Sequence, residues 1–526
     1  MKTFATLINA LDSTNKTNLK LEALMHFLAE AEEGDKMWLL ALFTGKRPKR
    51  NVNTALMRQW AMEIAGIPEW LFLESYSSVG DLGETISLIL PAPEQYTERS
   101  LSEWMQQIAT LDKATEAEKK TFVTEAWRSL THTERFIFNK LLGGSFRLGV
   151  SAQTLINALA RYYNMEANAV THSIMGDWQM DAVTFDELVQ GAYTDTQLSK
   201  PYPFCLAYPL EKEPEELGPV QDWQVEYKWD GIRGQLIRRN DEVFIWSRGE
   251  ELITEQFPEI KAALLQWPVN VVLDGELLVF KDGQVLNFSA LQQRLNRKNI
   301  SAKMLQELPV VCFVYDLLEL DGKDLRNLPI KERRSMLEEL LRQYAGGPLM
   351  LCHTIAAVDW EALKSIRQES RSVNSEGLML KHKDSPYHTG RKKGDWWKWK
   401  IDPYTIDAVL IYAQKGSGRR SAYYTDYTFA VRKGDELVSI AKAYSGLTDK
   451  EIQEVNRYIN QHAIEKFGPV RTVKPELVFE IAFEGISFSN RHKSGVALRF
   501  PRIARWRKDK TAAEIDDIEE IKKMIR

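Results

Sequence analysis

The sequence predicts a multidomain chain in three parts: an all-α N-terminal region, an α+β region built on antiparallel sheets, and a C-terminal β-barrel of the OB type. Its 526 residues exceed what one hydrophobic core supports. Apolar residues recur at three- and four-residue spacing over about the first 200 positions, then alternate from Trp223 onward. Between these textures lie Pro201-Tyr202-Pro203 and the Glu-rich EKEPEELGPV, a linker-like stretch.

In the first part, Leu19–Ala31, Asn53–Ala65 and Glu116–Leu130 read as amphipathic helices. Thr133 is placed to cap a helix reaching Leu142, which Gly143-Gly144 ends, and Ser151 to cap the next. In the second part QVEYK and QLIRR are strand-like, and EVFIWS follows a two-residue Asn240-Asp241 turn. VNVVLDGELLVF, VVCFVYDLLEL and GLMLKH follow, mixed with the helical IKERRSMLEELLRQYA. From Asp402, the strands DAVLIYAQ, YTFAVRK, ELVSIAKAY and ELVFEIAFEGIS surround one helix over Asp449–Phe467. TAAEIDDIEEIKKMIR closes the chain as a short amphipathic helix with a Thr511–Glu514 capping box. These bounds divide the chain into 1–200, 201–401 and 402–526.

Composition excludes several classes. No apolar run approaches the roughly 20 residues of a membrane span, and the N-terminus lacks a signal-peptide pattern, so a soluble, cytoplasmic protein is expected. Cys205, Cys312 and Cys352 lack CxxC spacing, which leaves no four-cysteine zinc site and no disulfide framework. The net charge of −4 argues against a simple nucleic-acid coat, yet Lys381 to Arg420 holds ten Lys or Arg against four Asp. Taken alone, that run is better read as a solvated basic face.

The sharpest signal is Lys228-Trp-Asp230-Gly231-Ile-Arg233, where a strand ends in a turn. A lysine attacks phosphorus only as the free amine, a form favoured in a partly desolvated pocket beside other cations. Gly231 permits a sharp turn, and Arg233 suits a phosphate or ribose. By composition, K-x-D-G-x-R arises by chance in well under about one in fifty chains of this length. Its company adds weight: Ser247-Arg248-Gly249, Asp274-Gly275-Glu276, Phe313-Val-Tyr-Asp316, Glu376-Gly377-Leu-Met-Leu-Lys381 and Trp397-Lys398-Trp399-Lys400. Singly, Phe313 reads as core and Glu276 or Glu376 as a satisfied surface carboxylate. Together they supply a nucleophile, metal carboxylates, an aromatic face and cations for a triphosphate.

KWDGIR, SRGEE, DGELLVF, FVYDLL, EGLMLK and WKWK, in this order, resemble the covalent nucleotidyltransferase motifs of ATP-dependent DNA ligases. Leu498-Arg499-Phe500-Pro501-Arg502 through Lys510 resembles their last motif, and GDLGET (Gly80–Thr85) and GGSFRLGVS (Gly143–Ser151) resemble segments of their N-terminal DNA-binding domain. The resemblance implies a helical DNA-binding domain, an adenylation domain and an OB-fold domain. It implies Lys228 as the adenylated nucleophile, Glu226 at the adenine edge and Phe313 stacked on the ring. Arg233 and Arg248 would contact ribose and phosphates, Glu276 a ribose hydroxyl or metal, and Glu376 the Mg²⁺. Lys398 and Lys400 would hold the α-phosphate, while Arg502, Arg507 and Lys510 would orient pyrophosphate. Gly143, Gly144, Arg147 and Gly149 would bind the DNA backbone.

Two departures stand out. Either Arg391 or Lys392 fills a basic position expected before WKWK, and PYPFCLAYP is a loose form of the family's lead-in. The implied cofactors are ATP and Mg²⁺, with Mn²⁺ as substitute. The implied substrate is nicked double-stranded DNA, bound by a monomer that seals it through lysyl-AMP and DNA-adenylate. The barrel would rotate about a segment near Asp402, closing first on ATP and then on DNA. An mRNA-capping or RNA-ligase relative shares the lysine motif but not the long helical region. NAD-dependent ligases carry a four-cysteine zinc finger absent here, and an inactive DNA-binding relative would not keep every catalytic position filled.

Overall fold

The computed structural model describes all residues except 15, 45–50, 144–149, 176–177, 181, 192–197, 250, 296, 298–299, 345, 417–422, 468–469 and 526. By contacts the chain forms two compact units, one of Gln153–Ile401 and one of Met1–Ala152 with Asp402–Arg526. No helix among the described residues is long and apolar enough to cross a membrane.

Up to Ala152 the described residues are built of helices joined by short connections. Helices at Thr17–Glu30, Thr54–Ala65 and Glu116–Ser129 match the apolar spacing to within about two residues. The cap expected at Thr133 lies instead at Thr131, whose amide and hydroxyl both reach the Glu134 carboxylate ahead of a helix at His132–Gly143. GDLGET packs on that same helix. Asp81 caps the helix Leu82–Ile89 and pairs with Lys140, and Asn139 donates to the carbonyl of Gly83 at 3.1 Å.

The Gln153–Ile401 unit holds two principal sheets. Its strands are β1 (Tyr208–Pro209), β2 (Trp223–Trp229), β3 (Ile232–Arg239), β4 (Glu242–Ser247), β5 (Val271–Lys281), β6 (Val310–Leu320), β7 (Leu349–Leu351), β8 (Ser375–His382) and β9 (Trp396–Lys400). The larger sheet runs β7-β6-β5-β3-β4 and the smaller β1-β9-β8-β2. β3 and β4 form a hairpin whose two turn residues, Asn240 (φ 48°) and Asp241 (φ 62°), adopt the left-handed conformation favoured by residues with short polar side chains. The main core of this unit lies on one face of the larger sheet, against the helices Pro258–Leu265 and Ile330–Tyr344.

In the C-terminal region β10 (Tyr404–Lys415), β11 (Tyr424–Lys433), β12 (Glu436–Ala443), β13 (Ala463–Phe467), β14 (Val470–Val473), β15 (Val478–Phe483) and β16 (Arg502–Trp506) form one bent antiparallel sheet. The long β10 pairs with β15 along its first half and with β14 along its second, curling the sheet around its own core as OB-type barrels do. Gly485–Phe488 and Val496–Arg499 make a separate hairpin, so ELVFEIAFEGIS is two strands rather than one. The helix expected over Asp449–Phe467 ends at His462, because Ala463–Phe467 pairs with β14. Thr511 and Glu514 do form a capping box, but over a single 3₁₀ turn; Asp517 caps the last helix, Ile518–Lys522.

Candidate active site

The cleft lies between the two sheets, and strand alternation builds it. On the smaller sheet Val225, Leu378, Leu380, Trp397 and Trp399 point to a buried cluster. The intervening residues of the same strands therefore face the cleft. Register aligns them in rows, Gln224 beside Lys381 beside Trp396, and Glu226 beside Met379 beside Lys398. Lys228 follows Glu226 on the same face. The larger sheet contributes Arg233 from β3, paired across to Glu276 of β5, together with Tyr315 from β6.

Two glycines allow the close approach. A Cβ at Gly231 would lie 2.4 Å from the Leu277 carbonyl oxygen, and one at Gly377 (φ +132°) 2.4 Å from that of Trp399. The glycines of KWDGIR and EGLMLK thus permit β2, β5, β8 and β9 to converge on Lys228.

Lys228 Nζ donates to Glu376 Oε2 at 2.5 Å, and Lys400 Nζ lies 3.2 Å from the same oxygen. Burial opposes ionisation of Glu376, but Lys228 and Lys400 hold its carboxyl below the usual range. Lys398 is lowered by burial, then by the neighbouring charges of Lys400, Arg391, Lys228 and Arg248. Cations gathered this closely have that signature. Burial pushes Glu276 up to about 7 despite Lys228 and Arg233, and Asp274 and Glu376 push the same way.

Glu276 and Glu376 are the carboxylates able to hold a metal. Among the described residues no group of three or more His, Cys, Asp or Glu could do so unaided. Two hard oxygen donors, one of them short of compensating charge, fit a Mg²⁺-type ion that completes its shell with phosphate and water.

Glu226, Lys228, Arg233, Arg248, Glu276 and Lys398 line the cleft; Glu376 joins them through Lys228, and Lys400 through Glu376. Arg233 is heavily engaged. Its Nε and Nη2 donate to Asp274 at 3.1 and 2.6 Å, and its Nη1 to the Cys205 carbonyl at 2.6 Å. Of the two candidate basic residues, Arg391 lines the cleft, while Lys392 is 59% exposed and 3.9 Å from Asp395.

Phe313 requires correction. Its ring packs edge-on against Trp229 (5.2 Å) and Phe280 (5.8 Å) in a buried cluster and does not line the cleft. Tyr315, two residues on and on the same strand face, lines it instead, its hydroxyl 3.3 Å from Asp274. Sequence reasoning also left Lys381 and Trp396 without roles. Lys381 is signalled by the EGLMLK spacing, and it lies over the rings of Tyr315 (4.1 Å) and Trp396 (4.6 Å).

The remaining expected residues lie in the other unit. Arg502 pairs with Glu484 at 2.9 Å, Arg507 with Asp407 and Asp509, and Lys510 with Asp407 at 2.6 Å. Gly143 ends its helix, whereas Gly144, Arg147 and Gly149 fall outside the described residues.

A buried-floor cleft that sets a lysine between carboxylates and a wall of cations, in a chain that also carries an OB-type barrel, defines a nucleotidyltransferase-type ligase. Residues 205–400 match the family model for the ATP dependent DNA ligase domain, 1–160 that for the DNA ligase N terminus, and 420–510 that for the ATP dependent DNA ligase C terminal region. The chain is 35% identical to a probable DNA ligase of Koribacter versatilis, over 88% of this chain and 85% of that protein. It is 31% identical to DNA ligase 1 of Korarchaeum cryptofilum, over 74% and 72%. The solved structure titled Pmar-Lig_PreS3 shares its fold, with a TM-score of 0.64 at 16% identity over 96% of this chain and 99% of that one. The chain belongs to the ATP-dependent DNA ligase family.

Proposed function

We propose that this ligase seals nicks in duplex DNA through an AMP carried on Lys228. The observation that carries the reading is the Lys228 amine, held by Glu376 and flanked by Lys398 and Lys400 in a cleft with one aromatic wall.

Lys228 Nζ attacks the α-phosphorus of ATP. A P–N bond forms, the α–β P–O bond breaks, and pyrophosphate leaves as the amine sheds its proton. The 5′-phosphate oxygen of the nick next attacks that phosphorus, and the P–N bond breaks as the nitrogen takes up a proton, which leaves Lys228 an amine again. The 3′-hydroxyl then attacks the 5′-phosphorus, loses its proton and expels AMP. Lys398, Lys400 and Arg248 supply fixed positive charge along this path. Arg233, anchored by Asp274, is better suited to shaping the cleft than to moving with a phosphate. Glu276 and Glu376 would hold Mg²⁺, or Mn²⁺ in its place, which neutralises triphosphate charge. Tyr315 takes the place of Phe313 as the ring met by the base.

Arg502, Arg507 and Lys510 would orient pyrophosphate during the first transfer only, so the C-terminal barrel must approach Lys228 and then withdraw. The N-terminal helices, with the Gly143–Gly149 segment, would hold the duplex by its backbone, with affinity falling steeply as salt rises. Three buried free cysteines suit a reducing cytoplasm.

The test is incubation with α-labelled ATP and Mg²⁺. A label on the protein that is acid-labile and alkali-stable is expected, and none in Lys228→Ala. Label persisting in that variant would overturn the proposal.

A further inference from the structure

Glu226 is 2% exposed, yet its carboxylate reaches the cleft. Its Oε1 accepts from Gln224 Nε2 at 2.7 Å, and its Oε2 from Lys381 Nζ at 2.7 Å. A third partner comes from outside the cleft. Arg334, on the helix Ile330–Tyr344, has its Nη1 3.7 Å from Glu226 Oε1. Arg334 is itself held, with Nε donating to Glu338 at 2.7 Å and Nη2 to the Cys352 carbonyl at 2.8 Å. Its Nη1 is buried and has no hydrogen-bond acceptor among the described residues.

A buried guanidinium nitrogen left without an acceptor is uncommon, because that arrangement is costly. Here its nearest anion is Glu226, just beyond hydrogen-bond reach. The carboxylate thus has a lysine on one oxygen, an amide on the other, and a fixed positive charge behind it. Gln224 and Lys381 hold one oxygen each, and the guanidinium adds attraction from the side of the helix. A carboxylate offers about four acceptor positions, of which Gln224 and Lys381 use two. What it still offers the cleft is acceptor capacity alone.

We propose that Arg334 is a positioning residue for nucleobase selection. With Gln224 and Lys381 it fixes Glu226 as an acceptor that takes the amino group of a 6-amino purine and repels the oxygen of a 6-oxo purine. The inference rests on the cleft being the nucleotide site. A site whose buried polar group is left facing another acceptor discriminates far more strongly than one sensing shape alone.

The test measures adenylation of the full chain with ATP and with inosine triphosphate, which differs at the 6-position. The wild type is expected to prefer ATP by at least about a hundredfold in kcat/KM. Arg334→Met should raise KM for ATP about tenfold with kcat little changed, and lower the ATP/ITP preference at least about tenfold. Arg334→Lys should recover part of the preference. An unaltered preference in Arg334→Met, or a fall in kcat without a rise in KM, would overturn the proposal. If circular dichroism shows Arg334→Met unfolded, Gln224→Leu must lower the preference, and an unaltered ratio there is equally fatal. Wild-type protein that adenylates Lys228 but ignores the 6-position removes this inference alone. Wild-type protein that forms no adenylate removes the reading of the cleft beneath it.

Discussion

Glu276 holds its proton up to about pH 7, whereas an unfolded glutamate lets go near 4.5. The folded state therefore carries the extra proton between those values. The stabilisation from this group is full below the lower value and lost as pH rises through about 7. A divalent cation at Glu276 must displace that proton, so adenylation at limiting Mg²⁺ should climb with pH and level off above about 7. Single-turnover adenylation against pH checks this, and Glu276→Gln should flatten the rise at a lower rate. A flat wild-type profile would count against a cation at this carboxylate. One strand over, Tyr315→Leu should raise KM for ATP about tenfold, while Phe313→Leu should act mainly on stability, costing about 1 kcal/mol. Melting curves beside KM values separate the two. Alternation puts both aromatics on the same face, so sequence spacing cannot choose between them. Trp229 and Phe280, contributed from other strands, claim Phe313 and leave Tyr315 facing the cleft. Lys228 and the two lysines of WKWK were legible because their spacing on strands fixes the face they occupy, whereas Glu376 shares the parity of Leu378 and Leu380 and meets Lys228 where the register shifts between Ser375 and Leu378.

At the scale of the element, the motif glycines matter for what they leave out. Gly231→Ala would set a methyl 2.4 Å from one backbone oxygen and 2.6 Å from Leu278 Cδ2, so β2 and β5 must part. A loss of roughly 2–4 kcal/mol and of adenylation is expected. Gly249→Ala meets only Ser247 Oγ at 3.6 Å and should melt close to wild type. Equal melting temperatures for the two variants would refute the close-approach argument. Most strands were legible from alternation and turn residues. The errors have identifiable causes. Ala463, Ile464 and Phe467 prolong the helical spacing of Asp449–His462, but pairing with β14 overrides it. Thr131 and Thr133 are both capping residues by type, and only Thr131 stands three residues before a glutamate, Glu134.

Over the whole molecule, the cations expected to meet pyrophosphate are already occupied. Asp407, nearly buried, receives Arg507 Nη1 at 3.0 Å and Lys510 Nζ at 2.6 Å, and Asp509 also binds Arg507. If these cations serve the first transfer, triphosphate must compete with Asp407 for them. Asp407→Asn should then lower KM for ATP in adenylation about three- to tenfold, and leave sealing of a pre-adenylated nick within about twofold. A raised KM in protein that melts like wild type would exclude such competition. This arrangement was not legible in the sequence, since Asp407 lies 100 residues from Arg507 and only the pairing of β10 with β15 and of β15 with β16 brings them together.

From Trp397 to Lys400, β9 alternates tryptophan and lysine, so the chemistry of that strand depends on its parity. Substituting any one residue leaves the others on their faces. Inserting one residue between Trp397 and Lys398 would turn the two ammonium groups toward Leu378 and Leu380, and the Trp399 indole toward the cleft. Length in this stretch is therefore under tighter constraint than composition, and an insertion scan should show a sharp minimum in activity across Trp396–Lys400.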